Sequence, residues 1–208
     1  MSAVAPTPGQ AYTLAAMRED LAADIASHAR HGAAFYDGRL SLKRKLSIFI
    51  GAPMLCTALF RFSHWAWCGG HRRLAWALSQ FNQMLHGATL HPASRIGKGL
   101  YIPHTVGIIF EGHAGRDLVL FASAVVAGGR HPRAWTGKEG APALGDEVSV
   151  GAHVVICGSI VVGDRTRLAP CATLHCDAPS DSLVFGGSPS RIRAVKDTLS
   201  APEGPHGR

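Results

Sequence analysis

Aliphatic side chains recur at every sixth position between residues 90 and 174. Twelve of the thirteen repeat positions hold Leu, Ile or Val, and the other holds Ala. They are Leu90, Ile96, Ile102, Ile108, Ala114, Leu120, Val126 and, after an interruption, Leu144, Val150, Ile156, Val162, Leu168 and Leu174. Neither an α-helix nor a flat strand has a period of six, whereas a solenoid with one short strand and one turn per hexapeptide does. The repeat therefore predicts a coil of short parallel strands.

Small residues follow several repeat positions, where a solenoid has to turn a corner. These are Gly97, Gly145, Gly151 and Gly163. We expect the aliphatic side chains to point inward, and the glycines to lie where a Cβ would crowd the next coil. Three hexads complete one coil of eighteen residues, which predicts a stacked column of Leu90, Ile108, Val126, Leu144 and Val162. Asp146 and Asp164 are expected to stack at one corner as turn residues.

Composition divides the chain into four regions. Residues 1–10 are rich in Pro and Ala and are expected to be disordered. Residues 11–87 are expected to form an α-helical domain, and residues 88–195 the repeat domain, with a loop at 127–143. The tail at 196–208 lacks an apolar period and is expected to be mobile.

Helical periodicity predicts four helices before the repeats. They cover residues 13–31, 42–51, 55–67 and 74–86, the last with Leu74, Leu78, Phe81 and Leu85 at helical spacing. Pro53 is expected to separate the second helix from the third. The apolar stretch from Leu46 to Phe60 is fifteen residues long, which is too short to span a bilayer, so we expect no membrane contact.

The net charge of +7 and the isoelectric point near 9.5 raise the question of nucleic-acid binding. The basic residues are scattered and no nucleic-acid motif accompanies them, so we expect no such partner. The five cysteines are odd in number, lack a paired metal spacing and follow no signal peptide. We therefore expect reduced thiols in a cytoplasmic protein without a bound metal.

The interruption from Ala127 to Ala143 is rich in Gly and Pro. A long loop ejected from a rigid scaffold more often carries function than not, so we expect functional residues in it. A tolerated insertion is the alternative.

Several motifs resemble one enzyme family. The segment 90–109, LHPASRIGKGLYIPHTVGII, resembles the signature of bacterial serine O-acetyltransferases, which carry Ile-His-Pro, Ile-Gly and Asp-His-x-x-Gly in this order. Residues 18–21 and 60–65 are similar to that family's helical domain. Residues 128–132 resemble its Gly-Gly and Arg-His-Pro loop, and residues 184–192 resemble the closing motif of hexapeptide acyltransferases.

This resemblance implies a left-handed parallel β-helix of hexapeptide repeats preceded by an α-helical domain, an exception to the right-handed crossover rule. It implies a homotrimer with active sites in the grooves between subunits, and leaves a dimer of trimers open. Acetyl-CoA would be the co-substrate and a small hydroxyl compound the acceptor. Many family members end in an isoleucine that docks into the next enzyme of cysteine synthesis. This chain ends in Arg208, so we expect no sulfhydrylase docking through the C-terminus.

Acetyl transfer to an alcohol needs a base, and imidazole suits this task because its pKa lies near neutrality. His104 occupies the position of the family's catalytic histidine. The resemblance assigns acceptor binding to Arg130 and His131 in the loop. In sugar O-acetyltransferases of the same superfamily a loop His-Pro supplies the base, which leaves His131 open as a second candidate.

Acetyl-CoA binding is expected at two groups of residues. Gly151, Ala152 and Ala169 are small enough to let a pantetheine arm approach the coil, although every solenoid corner needs small residues. Arg191 and Lys196 are candidates for the CoA phosphates.

The chain departs from the family pattern where two aspartates are expected. Thr89 stands where an Asp orients the catalytic histidine, and Pro103 stands where an Asp helps to hold the substrate ammonium. Neither side chain can stabilise a cation as a carboxylate does. Glu111 and Asp117 are candidates for the missing carboxylate. The acceptor is therefore expected to be serine or a related or modified hydroxy compound. A sugar or natural-product O-acyltransferase and a catalytically inactive trimeric scaffold are the alternatives.

Overall fold

The computed structural model describes residues 12–34, 51–128 and 140–186. Within these ranges, three helices precede the repeats: α1 (Leu14–Ala34), α2 (Ala52–Cys68) and α3 (Arg72–His86). Pro53 lies in the first turn of α2, where its missing N–H leaves no hydrogen bond unmade, so it is placed at the start of this helix. Most of the helix expected at 42–51 lies outside the described residues.

Short parallel strands make three sheets, and the chain visits these sheets in turn. The first sheet contains β1 (Thr89–Leu90), β3 (Ile109–Phe110), β6 (Val125–Ala127), β9 (Val155–Cys157) and β12 (Thr173–Leu174). The second contains β2 (Arg95–Ile96), β4 (His113–Ala114), β7 (Ala143–Leu144) and β10 (Val161–Val162). The third contains β5 (Val119–Leu120), β8 (Ser149–Val150), β11 (Arg167–Leu168) and β13 (Leu183–Val184). The predicted left-handed parallel β-helix is confirmed.

Three corners join the sheets of this coil. The chain passes from the first sheet to the second at the first corner, from the second to the third at the second corner, and from the third back to the first at the third corner. All hexad positions are buried except Ala114, which is half-buried. The prediction that these side chains point inward is therefore confirmed, and stacking of successive coils gives them a continuous core.

The predicted column of stacked residues is wrong. Leu90 pairs with Phe110 rather than Ile108, and Val126 pairs with Ile156 rather than Leu144. Thirty residues separate Val126 from Ile156, which is twelve more than one coil. Because twelve is a multiple of six, the loop keeps the hexad phase, but Leu144 lies in the second sheet and not above Val126 in the first.

Backbone crowding and aspartate side chains shape the second corner. A Cβ on Gly97 would lie 2.6 Å from the carbonyl oxygen of Gly115, so only glycine fits there. Oδ1 of Asp164 accepts a 2.9 Å hydrogen bond from the amide of Asp146, whose own Oδ1 accepts one of 2.8 Å from the amide of Arg116. The expected stacking of Asp146 and Asp164 as turn residues is confirmed.

Helix α3 packs with its less apolar face inward. Its buried residues are Ala75, Ser79, Asn82 and His86. Its large apolar side chains are exposed, among them Leu74, Phe81, Met84 and Leu85. Among the described residues, no helix is both long and apolar enough to cross a membrane.

Candidate active site

His104 lies in an enlarged turn at the third corner. Eight residues lead from Ile102 to Phe110, whereas six lead from Leu120 to Val126 in the next coil. The amide of Ser123 donates to the carbonyl of Val106, and the amide of His153 donates to that of Ala122, so Val106 and Ala122 hold equivalent positions. Pro103 is equivalent to Phe121 by the same register. The residues left over are His104 and Thr105.

This insertion at His104 is not visible in the six-residue spacing of the sequence. The two extra residues escape detection because the next corner is short. Only four residues lead from Phe110 to Ala114, and the six-residue phase is restored there. The insertion leaves His104 exposed while Thr105 beside it is buried. Because the His104 ring is exposed while the turn is anchored by buried Thr105, the ring is accessible to a ligand that lies along the corner.

Packing from α1 supports this turn from behind. The ring of Tyr101 stacks on His31, with centroids 4.2 Å apart and planes 10° apart, and meets the edge of His28 at 5.0 Å. Burial lowers the pKa of His28 below its usual value, so its ring stays neutral near neutral pH. The segment leading into Pro103 is therefore held by aromatic packing.

The predicted pantetheine residues lie at the same corner as His104. Phe121, Gly151 and Ala169 are stacked, because the amide of Phe121 donates to the carbonyl of Val150 and that of Gly151 donates to Leu168. Since Pro103 begins this column, the structure brings His104 together with Gly151, Ala152 and Ala169 at one edge of the coil.

Gly151 also has a structural reason to be glycine. A Cβ there would lie 2.6 Å from the carbonyl oxygen of Leu168 and 2.8 Å from the amide nitrogen of Pro170. Backbone atoms cannot give way as a side chain can. The smallness of this residue therefore serves the corner as well as any ligand that lies along it.

The third corner carries a column of residues that sequence reasoning left without a role. Ser123, His153 and Cys171 follow one another at equivalent positions with φ angles of 58°, 57° and 63°. All three are non-glycine residues in the left-handed region, which turns their side chains away from the core. His153 is exposed and gives the corner a second imidazole. Ser123 and His153 are thirty residues apart and His153 and Cys171 eighteen, so their equivalence is recognisable only when the length of the loop is known.

Glu111 and the base of the long loop lie at the first corner. A Cβ on Gly112 would lie 2.7 Å from the carbonyl oxygen of Pro142, which also accepts a hydrogen bond from His113. Glu111 is exposed beside this loop base. Strand β3 separates it from His104, so one chain does not bring the two side chains together.

The other two candidates for orienting His104 lie elsewhere. Thr89 pairs with Ile109, five residues beyond His104 on the adjoining face. Asp117 lies at the second corner, where its Oδ1 accepts a 2.9 Å hydrogen bond from Arg30. Asp117 is therefore paired with Arg30 of α1 at the second corner, whereas His104 of the same chain lies at the third corner.

Four predicted site residues lie outside the described residues: Arg130, His131, Arg191 and Lys196. His91, in contrast, has an observable packing role. Its Nδ1 accepts a 3.1 Å hydrogen bond from the amide of Ala93, and its ring packs edge-on against Trp67 and Trp76. Within residues 12–34, 51–128 and 140–186, no group of three or more His, Cys, Asp or Glu side chains is arranged to hold a metal ion.

Comparison with solved structures identifies the same architecture elsewhere. A serine acetyltransferase from Neisseria gonorrhoeae in complex with serine has a TM-score of 0.68 at 21% identity, covering 85% of this chain and 68% of the other. Soybean serine acetyltransferase has a TM-score of 0.67 at 25% identity, covering 84% and 68%. No protein-family model matches the chain.

Curated sequences give the same family name. A serine acetyltransferase from Mycobacterium tuberculosis is 29% identical over 153 residues, which cover 70% of this chain. Serine acetyltransferase 4 from Arabidopsis thaliana is 34% identical over 147 residues, or 69% of this chain. The chain spans 61% of the first relative's length and 39% of the second's.

A shorter relative is matched over most of its length. The serine acetyltransferase of Helicobacter pylori strain J99 is 32% identical over 124 residues, which cover 57% of this chain and 68% of that protein. That match includes two-thirds of the relative, and the solved relatives share the helical region and the coil. The chain belongs to the serine acetyltransferase family.

Proposed function

We propose that this protein is an acetyl-CoA-dependent O-acetyltransferase whose acceptor is serine or a related hydroxy compound. One observation carries the proposal: the two-residue insertion presents His104 at the edge where Gly151, Ala152 and Ala169 are stacked. A general base and a path free of large side chains are the two requirements of acyl transfer from a long thioester. Family membership supplies the choice of acetyl-CoA over other donors.

His104 acts as the general base in this proposal. Its neutral imidazole accepts the proton of the acceptor hydroxyl as that oxygen bonds to the thioester carbonyl carbon. The carbon–sulfur bond then breaks, and the imidazolium returns the proton to the departing sulfur, so that the acetyl ester and free CoA thiol leave. Exposure of the ring keeps it in exchange with water and ready for the next cycle.

The donor would lie along the third corner. Gly151 and Ala169 present backbone and a methyl group where a longer side chain would stand in the way, and the Ala152 carbonyl is already used by the amide of Cys171. Arg191 and Lys196 would meet the phosphates farther along the chain.

A homotrimer would complete the site. His104 projects at the third corner, whereas the loop that carries Arg130 and His131 leaves the coil at the first corner. Because the first and third corners of one coil face different directions, we propose that a second copy supplies the loop to the groove beside His104. We therefore propose a homotrimer with three such grooves, acting in the cytoplasm; a dimer of trimers stays open.

Release of CoA thiol from acetyl-CoA, measured with a panel of hydroxy compounds, tests this proposal. His104→Ala is expected to lower kcat by about 100-fold to 10,000-fold without loss of fold, because the side chain is exposed. His153→Asn, on the same corner, is the matched control and is expected to keep the activity. Loss of activity in His131→Ala alone would indicate the sugar-type mechanism instead. No thiol release with any acceptor and no acetyl-CoA binding by calorimetry would leave only the scaffold.

A further inference from the structure

Charged side chains are unequally distributed over the three corners of the coil. Four ion pairs of the described residues lie at the second corner, and the last two include a side chain of α1: Arg116–Asp146, Arg165–Asp181, Arg30–Asp117 and Lys98–Glu19. The described part of the first corner holds Glu111 and Asp177. The described third corner holds no Asp, Glu, Lys or Arg; it comprises residues 103–107, 121–124, 151–154, 169–172 and 185–186. The imidazoles of His104 and His153 are its titratable groups besides the thiol of Cys171.

Apolar surface replaces charge around His104. Val106, two residues away, is 68% exposed, and Ile109 at the end of the same turn is 43% exposed. Phe121 follows on the next coil and is 36% exposed. Pro103 precedes the histidine and offers no hydrogen-bond donor or acceptor from its side chain. An acceptor whose hydroxyl reaches His104 therefore lies against hydrocarbon on this wall of the groove.

A free amino acid fits this wall poorly. Its ammonium would lose water on entering the groove and would find no carboxylate on the described third corner. Burying an unpaired charge is costly, and the usual remedy is a counter-charge within hydrogen-bond distance. An amide nitrogen or a hydrogen atom at the same place carries no such cost.

We propose that the acceptor is a hydroxyl compound without a free ammonium group beside the reacting hydroxyl, such as an N-acylated serine or a simple hydroxy acid. This inference rests on the proposed acetyltransferase activity and on the placement of His104. It concerns the groove wall that this chain itself supplies. This wall gives the cation of the zwitterion no counter-charge, while the hydroxyl and the base keep their geometry.

Matched acceptors test the inference with the unaltered protein. L-Serine and 3-hydroxypropionate differ by the ammonium alone, and N-acetyl-L-serine replaces the ammonium by an amide. In assays of thiol release from acetyl-CoA, we expect kcat/KM for 3-hydroxypropionate and for N-acetyl-L-serine to exceed that for L-serine by about tenfold or more. The difference is expected in KM more than in kcat, since the ammonium affects binding of the acceptor and not the proton transfer.

A charge placed on the wall gives the reciprocal test. Pro103→Asp is expected to raise kcat/KM for L-serine and to lower it for N-acetyl-L-serine. Pro103→Asn is the matched control, because it has nearly the same size without the charge, and it is expected to leave the preference unchanged. Circular dichroism checks that each variant folds.

The outcomes separate the two proposals. L-Serine as the best acceptor of the unaltered protein overturns the acceptor class but keeps the acetyltransferase. Equal effects of Asp and Asn at position 103 also overturn it, because the wall would then act through shape and not through charge. Absence of thiol release with every acceptor overturns the acetyltransferase and the acceptor class together.

Discussion

Nε of Arg61 donates a 2.7 Å hydrogen bond to Oδ2 of Asp24, and both side chains are almost entirely removed from water. Arg61 also donates to the carbonyl oxygens of Ile96 and Gly97, at 2.6 and 2.8 Å. Oδ1 of Asp24 accepts from the amide of Leu100 at 2.8 Å. Burial alone would lower the pKa of Arg61, but the Asp24 carboxylate outweighs it and raises the pKa, so the guanidinium stays charged. Helices α1 and α2 are thereby fixed to the first coil.

Removal of the Asp24 charge is expected to be severely destabilising. Asp24→Asn removes the fully buried carboxylate and leaves Arg61 with the Asp20 carboxylate, 3.4 Å from its Nη1, as counter-charge, so we expect a loss of about 3–5 kcal/mol of unfolding free energy. Chemical denaturation measures the unfolding free energy of this variant and of the unaltered protein. Glu19→Gln breaks the exposed Lys98–Glu19 pair, whose side chains are 47% and 70% exposed, and is expected to cost at most about 1 kcal/mol. Similar losses in the two variants would contradict the role assigned to the buried pair.

Glycine is expected to be required where one coil touches the next. In Gly97→Ala the new Cβ meets the backbone of Gly115 and Arg116, at 2.6 and 2.9 Å, so we expect a loss of about 1–3 kcal/mol from overpacking. Gly69→Ala is the control, since its nearest neighbour would lie at an ordinary 3.5 Å. Thermal unfolding of both variants decides the matter, and an unaltered Tm for Gly97→Ala would speak against the close approach of the coils.

Helix α3 is expected to depend on its polar face. Nδ2 of Asn82 donates a 3.0 Å hydrogen bond to the carbonyl of Cys56, and Oδ1 lies 2.8 Å from Nδ1 of His86. Asn82→Ala removes both hydrogen bonds and leaves the buried Nδ1 of His86 without this partner, which is expected to cost about 1–3 kcal/mol. Gln83→Ala, one position along on the exposed face, is the control. The opposite order of stabilities would mean that the apolar side of α3 faces inward.

Stability is expected to fall as the solution becomes acidic. Burial lowers the pKa of His64 and of His28 in the folded protein. Below the ordinary histidine pKa the unfolded chain takes up protons that the folded protein still refuses, so the unfolding free energy decreases with falling pH. The slope of the unfolding free energy against pH is at most about 1.4 kcal/mol per pH unit for each such histidine.

Unfolding midpoints between pH 7 and pH 5 measure this slope. His64→Gln, which keeps a donor for the Pro92 carbonyl that lies 2.8 Å from Nδ1, is expected to reduce it. His71→Gln is the control because His71 is exposed. A slope unchanged by His64→Gln would show that His64 titrates normally in the folded state.

The coil itself was predictable because its cause is local. Each hexad needs one inward aliphatic residue and one small residue at a corner, and both leave a mark at fixed spacing in the sequence, as Leu144 and Gly145 show. The motif around His104 likewise marked the family and the candidate base. Residue type at a given spacing was sufficient for these inferences.

Register between coils was not predictable in the same way. A period of six is unchanged when twelve residues are inserted, so Leu144 kept its phase and changed its sheet. The two extra residues at His104 and the short corner before Ala114 cancelled each other and left no trace in the spacing. On α3 the apolar spacing indicated a helix without saying which side faces the protein, because Asn82 is buried by its hydrogen bonds and Phe81 stays exposed.

The sequence by itself determined the repeat, the inward aliphatic core, the family and the residues that could do chemistry, because these follow from residue type and spacing along the chain. Tertiary structure alone decided which of those residues share a corner. It placed His104 with Gly151 on an edge without charged side chains and Glu111 on another edge, because pairing between coils depends on the length of every turn that separates them.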